Sequence, residues 1–467
     1  MNYKELIKMK MTQKIPKCIS LCVFLLIVLI ICFPLEACSK VEKGECIYDL
    51  RDDHYEVVGT TSKNISSLSI SDTYNNLPVT AISDEAFKDC IYLKKITIPN
   101  SIKSIGNGAF ENCHYLRSII IPNGVTAIEN RTFFDCSELK EIVIPDSVST
   151  IGEFAFHECH ELIEINLPNG LTNIGYGAFL GCESLTNIHL PNSLISIEGE
   201  AFNRCKGLKE IIIPNGILKI NKWLFYQCEK LESVTIPNSV TYIDDEAFEN
   251  CKSLQSIHIP DGVTHIGTQA FYSCSSLKDV YISKDTTFIC NSAFENCTSL
   301  TMITIPESVQ SLGTYAFANC TKLKNVNISK TIIEMGKNPF YKTPFCDDLS
   351  NWENGVFCVG DYLIQSKTDK AGDYVVNDGI KVIAESAFEK CDHLTSIVIP
   401  DSVISIGKRA FYKCNGLTGA TIGSGVINFG DEAFATCSYL NHISVGSNIG
   451  KKAFYECSRL TDVYKIF

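Results

Sequence analysis

The densest run of ligand-type side chains in the chain is His157-Glu158-Cys159-His160-Glu161. Imidazole, thiolate and carboxylate are the usual protein ligands of zinc. The spacing argues against that chemistry. A zinc helix of the H-E-x-x-H type sets its histidines four apart, so that both face one side, whereas His157 and His160 are three apart. Gly423-Ser424-Gly425 lacks the third glycine and the following helix of a phosphate loop. The chain contains no G-x-S-x-G elbow and no Walker motif. These residues supply no catalytic group, no cofactor site and no metal site. The chain therefore reads as a non-catalytic recognition protein, with a structural envelope protein without a specific ligand as the first alternative and metal binding or an enzyme built on the His157 region or the insert as the lesser one.

The elements that hold these residues explain why. Cys159 belongs to a series at Cys90, Cys113, Cys136, Cys159, Cys182, Cys205, Cys228, Cys251, Cys274, Cys297 and Cys320, with a constant spacing of 23. The spacing resumes at Cys391, Cys414 and Cys437 and ends at Cys457. A fixed period of this length means stacked structural repeats. In the unit Leu93 to Cys113, Leu93, Ile96 and Ile98 end in strand alternation. Pro99-Asn100-Ser101 is a turn signal. Ile102, Ile105, Ala109, Phe110 and Cys113 then bring the chain back, with Gly106 where little room is expected. One unit cannot bury its own apolar face, but stacked units bury it in continuous columns. The expected fold is a β-rich repeat solenoid, a superhelix with a parallel sheet on one face and short turns or single helical turns on the other. Its phenylalanines form one column. Its cysteines form a ladder of buried thiols acting as small hydrophobes, against the alternative of disulfides between coils in an oxidising exterior.

Leu139 to Cys159 and Leu254 to Cys274 carry nearly every landmark of Leu-x-x-Ile-x-Ile-Pro-x-x-Val-x-x-Ile-Gly-x-x-Ala-Phe-x-x-Cys. In this the chain resembles the BspA-like leucine-rich repeat family, from about Leu68 to its C-terminus. The resemblance implies a leucine-rich repeat fold, an N-terminal cap, and attachment to host cells or extracellular matrix, or co-aggregation between cells. It is specific for fold and far less so for function, because a repeat is a scaffold.

The middle residue of each I-x-I strand points away from the core. Reading up the stack gives Thr97, Ile120, Val143, Asn166, His189, Ile212, Thr235, His258, Tyr281, Thr304 and Asn327. Asn166, His189, Ile212, His258 and Tyr281 are the candidate contacts of a protein ligand on the solenoid face, taken as the concave one. The bland reading is a row of β-branched fillers with tolerated polar variation. Glu141, Glu164, Glu210 and Asp279 form a neighbouring acidic row that favours a basic partner.

The 467 residues carry a net charge of −12 and no basic block beyond the N-terminus, which disfavours nucleic acid as a partner. Residues 1–17 are lysine-rich, and Cys18 to Phe33 is uncharged. Those 16 residues are short for a membrane span but fit the apolar region of a secretory signal. Leu35-Glu36-Ala37-Cys38 resembles a lipobox, making Cys38 the candidate lipidation site. Three outcomes stay open: a lipoprotein, a cleaved and released chain, and an uncleaved N-terminal anchor. All three place the repeats outside, at the cell surface or beyond. The expected organisation is 1–38 export signal or anchor, 39–82 N-terminal cap, 83–343 leucine-rich repeats, 344–373 a β-hairpin-like insertion, and 374–467 further repeats. In the insertion Cys346 and Cys358 lie off register and are a candidate local disulfide.

Overall fold

The computed structural model describes residues 45–445 and 449–465. The export segment and Cys38 therefore lie outside the described residues. Each repeat is one coil of a β-solenoid. Its first strand, as in Ser67–Ser69, Lys95–Thr97, Ser118–Ile120 and Glu141–Val143, pairs parallel and in register with its neighbours. Ile119 thus lies directly opposite Ile142. The same apolar position recurs at the same place in every coil, so the inward side chains stack as columns.

A second ladder, not anticipated from the sequence, follows the proline turn. It consists of two-residue strands such as Ala127–Ile128, Thr150–Ile151, Asn173–Ile174 and Ser196–Ile197, again parallel. A six-strand run continues it from Lys219–Ile220 to Glu334–Met335. Between the coils there is little room after this strand: a Cβ on Gly106 would lie 2.5 Å from the Asp84 backbone nitrogen.

The third side is made of turns. Two residues per coil adopt left-handed backbone, for example Arg131 (φ 58°) and Asp135 (φ 52°), then Phe154 (φ 54°) and Glu158 (φ 58°). Each such non-glycine residue costs about 1 kcal/mol or more. Hydrogen bonds between coils offset this, with Arg131 N–H donating to Glu153 O at 2.8 Å and Asp135 N–H to His157 O at 2.7 Å.

Phe87, Phe110, Phe133, Phe156, Phe179 and Phe202 are fully buried and stacked ring on ring, with centroids 5.3–5.6 Å apart. The cysteine column beside them is not merely apolar. Cys113 Sγ donates to Phe87 O at 3.2 Å, and Cys205 and Cys228 repeat the contact with Phe179 and Phe202 at 3.2 and 3.1 Å. The same Phe87 carbonyl also accepts Cys90 N–H, at 3.1 Å. Each thiol therefore ties its coil to the one before. Burial pushes these thiols well above their ordinary pKa, so they are neutral, and they are unpaired rather than joined as disulfides.

Two places depart from the coil. At the N-terminal end, Cys46–Leu50 and Tyr55–Thr60 form an antiparallel hairpin, and its second strand runs parallel to Leu77–Ile82. In the insertion, Val356–Val359 and Tyr362–Ser366 form another, and its second strand runs parallel to Val382–Ile383. The insertion thus repeats the topology of the N-terminal end and starts a second arm with its own apolar cluster. Thr343, standing where the cysteine column would continue, donates to Phe340 O at 2.7 Å. It also caps the four-residue helix Pro344–Asp347 by accepting Cys346 N–H. Cys346 and Cys358 are separate thiols. Tyr362 fastens the insertion to the first arm: its hydroxyl donates to Ser329 O at 2.8 Å and accepts Ile332 N–H at 3.2 Å. Among the described residues no helix is long and apolar enough to cross a membrane.

Candidate functional site

The left-handed turns take the His157 cluster apart. Cys159 points inward and donates to Phe133 O at 3.2 Å. His157 is mostly buried. Its ring stacks on Phe134 with centroids 4.5 Å apart and meets the edge of Phe154 at 5.6 Å. The Arg131 guanidinium covers the Phe134 ring at 3.8 Å while holding Glu111 through two hydrogen bonds of 2.9 and 3.0 Å. Burial lowers the pKa of His157, so it is a neutral ring in an aromatic stack. Glu158 lies 2.9 Å from His160 and 3.8 Å from His157, while Glu161 turns to Lys140 at 3.6 Å. The five residues do not converge on a point, and no metal-holding group of His, Cys, Asp or Glu occurs among the described residues.

The outward row is laid out by the first ladder. Asn166, His189, Ile212, His258 and Tyr281 are all exposed, and Ile211 and Ile257 between them face the core. In-register pairing places His258 directly opposite Tyr281. Their rings stack at 4.5 Å and 9°. The first ladder is interrupted at several places, after Glu141–Val143, Asn187–Ile188 and Ser233–Thr235, and again between Asp279–Tyr281 and the next strand, Met302–Thr304. A cavity of about 490 Å³ lies along that seam, lined by His258, Tyr281, Met302, Thr304, Lys278 and Lys284 among others. Tyr281 and Met302 are 46% and 51% exposed, so an aromatic and a flexible apolar side chain border it together. Large, partly exposed aromatics and methionine are the usual anchors of protein recognition. Sequence spacing brought His258 and Tyr281 to one row. It did not show the seam, because both strands carry the same motif.

The acidic row Glu141, Glu164, Glu210 and Asp279 is exposed, but Lys140, Lys209 and Lys278 precede three of its members and are exposed too. The face carries both signs, so these four acids alone do not set a preference for a basic partner.

A second cluster went unnoticed in the sequence. On the second ladder Tyr242 and His265 stack at 4.5 Å, Phe288 follows at 5.6 Å, and Lys219 caps the Tyr242 ring at 4.9 Å. Cys290 Sγ lies 3.2 Å from His265 Nε2. Cys290 occupies the position that is Gly267 and Gly313 in the flanking coils, and this break in the pattern is the signal that would have found it. A nucleophilic cysteine needs its thiolate. Burial instead raises Cys290 to about 11 and lowers His265, so the pair is a neutral thiol beside a neutral ring.

Similarity to known proteins follows the repeat. The chain is similar to the solved leucine-rich repeat protein of Bacteroides ovatus ATCC 8483, with 28% identity over 91% of this chain and 99% of that one, at a TM-score of 0.60. It is also similar to a leucine rich cell surface protein of Faecalibacterium prausnitzii A2-165, with 25% identity over 82% of this chain and 95% of that one, at a TM-score of 0.37. No curated protein matches the chain in sequence. The pattern of the BspA type leucine rich repeat region fits it in six copies, over residues 61–185, 174–301, 287–363 and 359–465. A fit spanning nearly all the described coils settles the family: the chain belongs to the BspA-type leucine-rich repeats.

Proposed function

We propose that this protein is an exported, surface-held recognition protein. The outward row of its first ladder binds a protein partner, with adhesion to host cells or extracellular matrix as the setting. The observation that carries this reading is the contrast between the two sides of one strand. Inward positions repeat the same few apolar residues, whereas the outward position changes from Asn166 to His189, Ile212, His258 and Tyr281. Packing explains the first side. A ligand of defined shape explains the second, and the seam beside Tyr281 gives that ligand a place to insert a side chain. Residues 1–38 supply the export signal or anchor, with Cys38 as the candidate lipidation site. The site needs no cofactor and performs no covalent step.

The test is a binding isotherm of the full chain on immobilised extracellular-matrix proteins. Saturable binding should weaken roughly tenfold or more in the His189→Ala/Tyr281→Ala double variant, as expected for removing two anchors, with the melting temperature unchanged. Binding equal to that of the parent chain would remove the row from the site.

A further inference from the structure

The thiol column is closed to solvent at three of its four ends. Cys90 and Cys320 bound the first run and Cys391 opens the second, and all three are buried. Beyond Cys320 the column position is taken by Thr343, also buried. Cys457, the last, is half-buried, and among the described repeat cysteines it alone is not fully covered.

Its neighbour in the column is Cys437, which has no exposure. The last two strands pair His442 with Asp462 and Ile443 with Val463, an offset of 20 residues that also carries Cys437 to Cys457. Thr436 N–H donates to Tyr455 O at 2.7 Å and holds the two turns together. Equivalent residues of neighbouring coils stand about 4.8 Å apart, inside the roughly 4.4–6.8 Å between Cα atoms that a disulfide bridges. The two thiols are within hydrogen-bond reach of each other. Inner pairs share the contact, as Cys297 and Cys320 do, but both of those are buried. An oxidant has to reach a sulfur before it can react with it. Cys46 and Cys290 are half-buried as well, but their hydrogen-bond partners are Tyr48 and His265.

We propose that Cys437 and Cys457 are a disulfide modification site, at which a small-molecule disulfide oxidises the repeat and clamps the last coil to the one before it. The site is separate from the outward row and does not rest on it. Cys457 Sγ, as thiolate, attacks one sulfur of the oxidant and releases a small thiolate. Cys437 Sγ then attacks Cys457 Sγ in the mixed disulfide and releases the second. The two protein thiols lose two electrons, the oxidant gains them, and the two protons pass through water to the released thiolates. Contact with Cys437, together with burial, holds Cys457 protonated, so the exchange is slow at neutral pH and quickens as pH rises. The reaction frees Phe411 O and Phe434 O from their thiols. Neither is orphaned, because they keep Cys414 N–H at 3.3 Å and Cys437 N–H at 3.4 Å.

The experiment treats the reduced full chain with oxidised glutathione at mildly alkaline pH, blocks the remaining thiols by alkylation, and maps the linked peptides by mass spectrometry. The expected product joins Cys437 to Cys457 and leaves the column from Cys90 to Cys320 reduced. Amide exchange in the last coil should then slow about tenfold or more, and recover on reduction. In Cys457→Ser the column should stay reduced throughout. A Cys414–Cys437 disulfide in that variant would show that Cys457 does not admit the oxidant and would overturn the proposal. So would a glutathione adduct that stays on Cys457 in the parent chain, a disulfide between any other column pair, or a column left wholly reduced.

Discussion

Glu249 is buried beside Glu246 on the turn side of its coil. Burial, with the neighbouring carboxylate, raises its pKa from 4.5 to about 7. Below pH 4.5 the carboxyl is protonated in both the folded and the unfolded chain, and the full stability is present. As pH rises to about 7, the unfolded chain ionises first and gains, so stability falls. The loss is about 2 kcal/mol once the remaining solvent contact is allowed for. Glu249→Gln should therefore raise the melting temperature at pH 8, leave it nearly unchanged at pH 4, and flatten the profile between. A parent profile already flat over that range would show Glu249 ionised in the fold. Phe179 acts through packing instead, stacked 5.3 Å from Phe156 and 5.6 Å from Phe202 with no exposure. Phe179→Ala should cost about 3–5 kcal/mol, and an unchanged thermal melt would count against the column. Both buried columns were readable from the period alone, because identical spacing forces identical positions. The thiol-to-carbonyl bonds were not, since spacing says nothing of where Cys205 Sγ–H points. Nor was the arrangement around His157. Cys159 turns into the core while His157 and His160 both stay beside Glu158, on a turn whose left-handed Phe154 and Glu158 do not announce such a backbone.

At the scale of elements, the first ladder was legible because Leu93, Ile96 and Ile98 alternate over enough residues to register as a strand. The second was hidden, because Ser104–Ile105 and its equivalents are two residues long and alternation needs more. The joint between the arms was hidden for another reason: it depends on contacts far apart in sequence. Tyr362 is the clearest case, since its hydroxyl satisfies groups 30 and 33 residues away. Tyr362→Phe leaves Ser329 O and Ile332 N–H without that partner in a buried setting, which costs about 1–3 kcal/mol. The effect should be local. Amide hydrogen exchange should quicken through the hairpin Val356–Ser366 and the following coils while the coils around Phe179 keep their protection. Uniform protection in the variant would show that the hydroxyl does not hold the joint.

For the whole molecule, stacking makes stability a sum over coils and their neighbours. Substitutions on the outward row therefore change the surface and enter that sum only through side-chain contacts between neighbouring coils, such as His258 on Tyr281. This is what allows Asn166, His189, Ile212, His258 and Tyr281 to differ widely while Ile165, Ile188, Ile211, Ile257 and Val280 stay β-branched and aliphatic. Such a scaffold fits recognition of large partners over an extended face. The seam at Tyr281 adds local depth to that surface. Recognition of an outside partner requires the coils to stand outside the cell, and protease treatment of intact cells expressing the full chain measures that directly. The expected result is digestion of the repeats without lysis, releasing fragments that carry the Phe-x-x-Cys coils. Complete protection until the cells are lysed would contradict it, leaving an internal scaffold as the role of the solenoid.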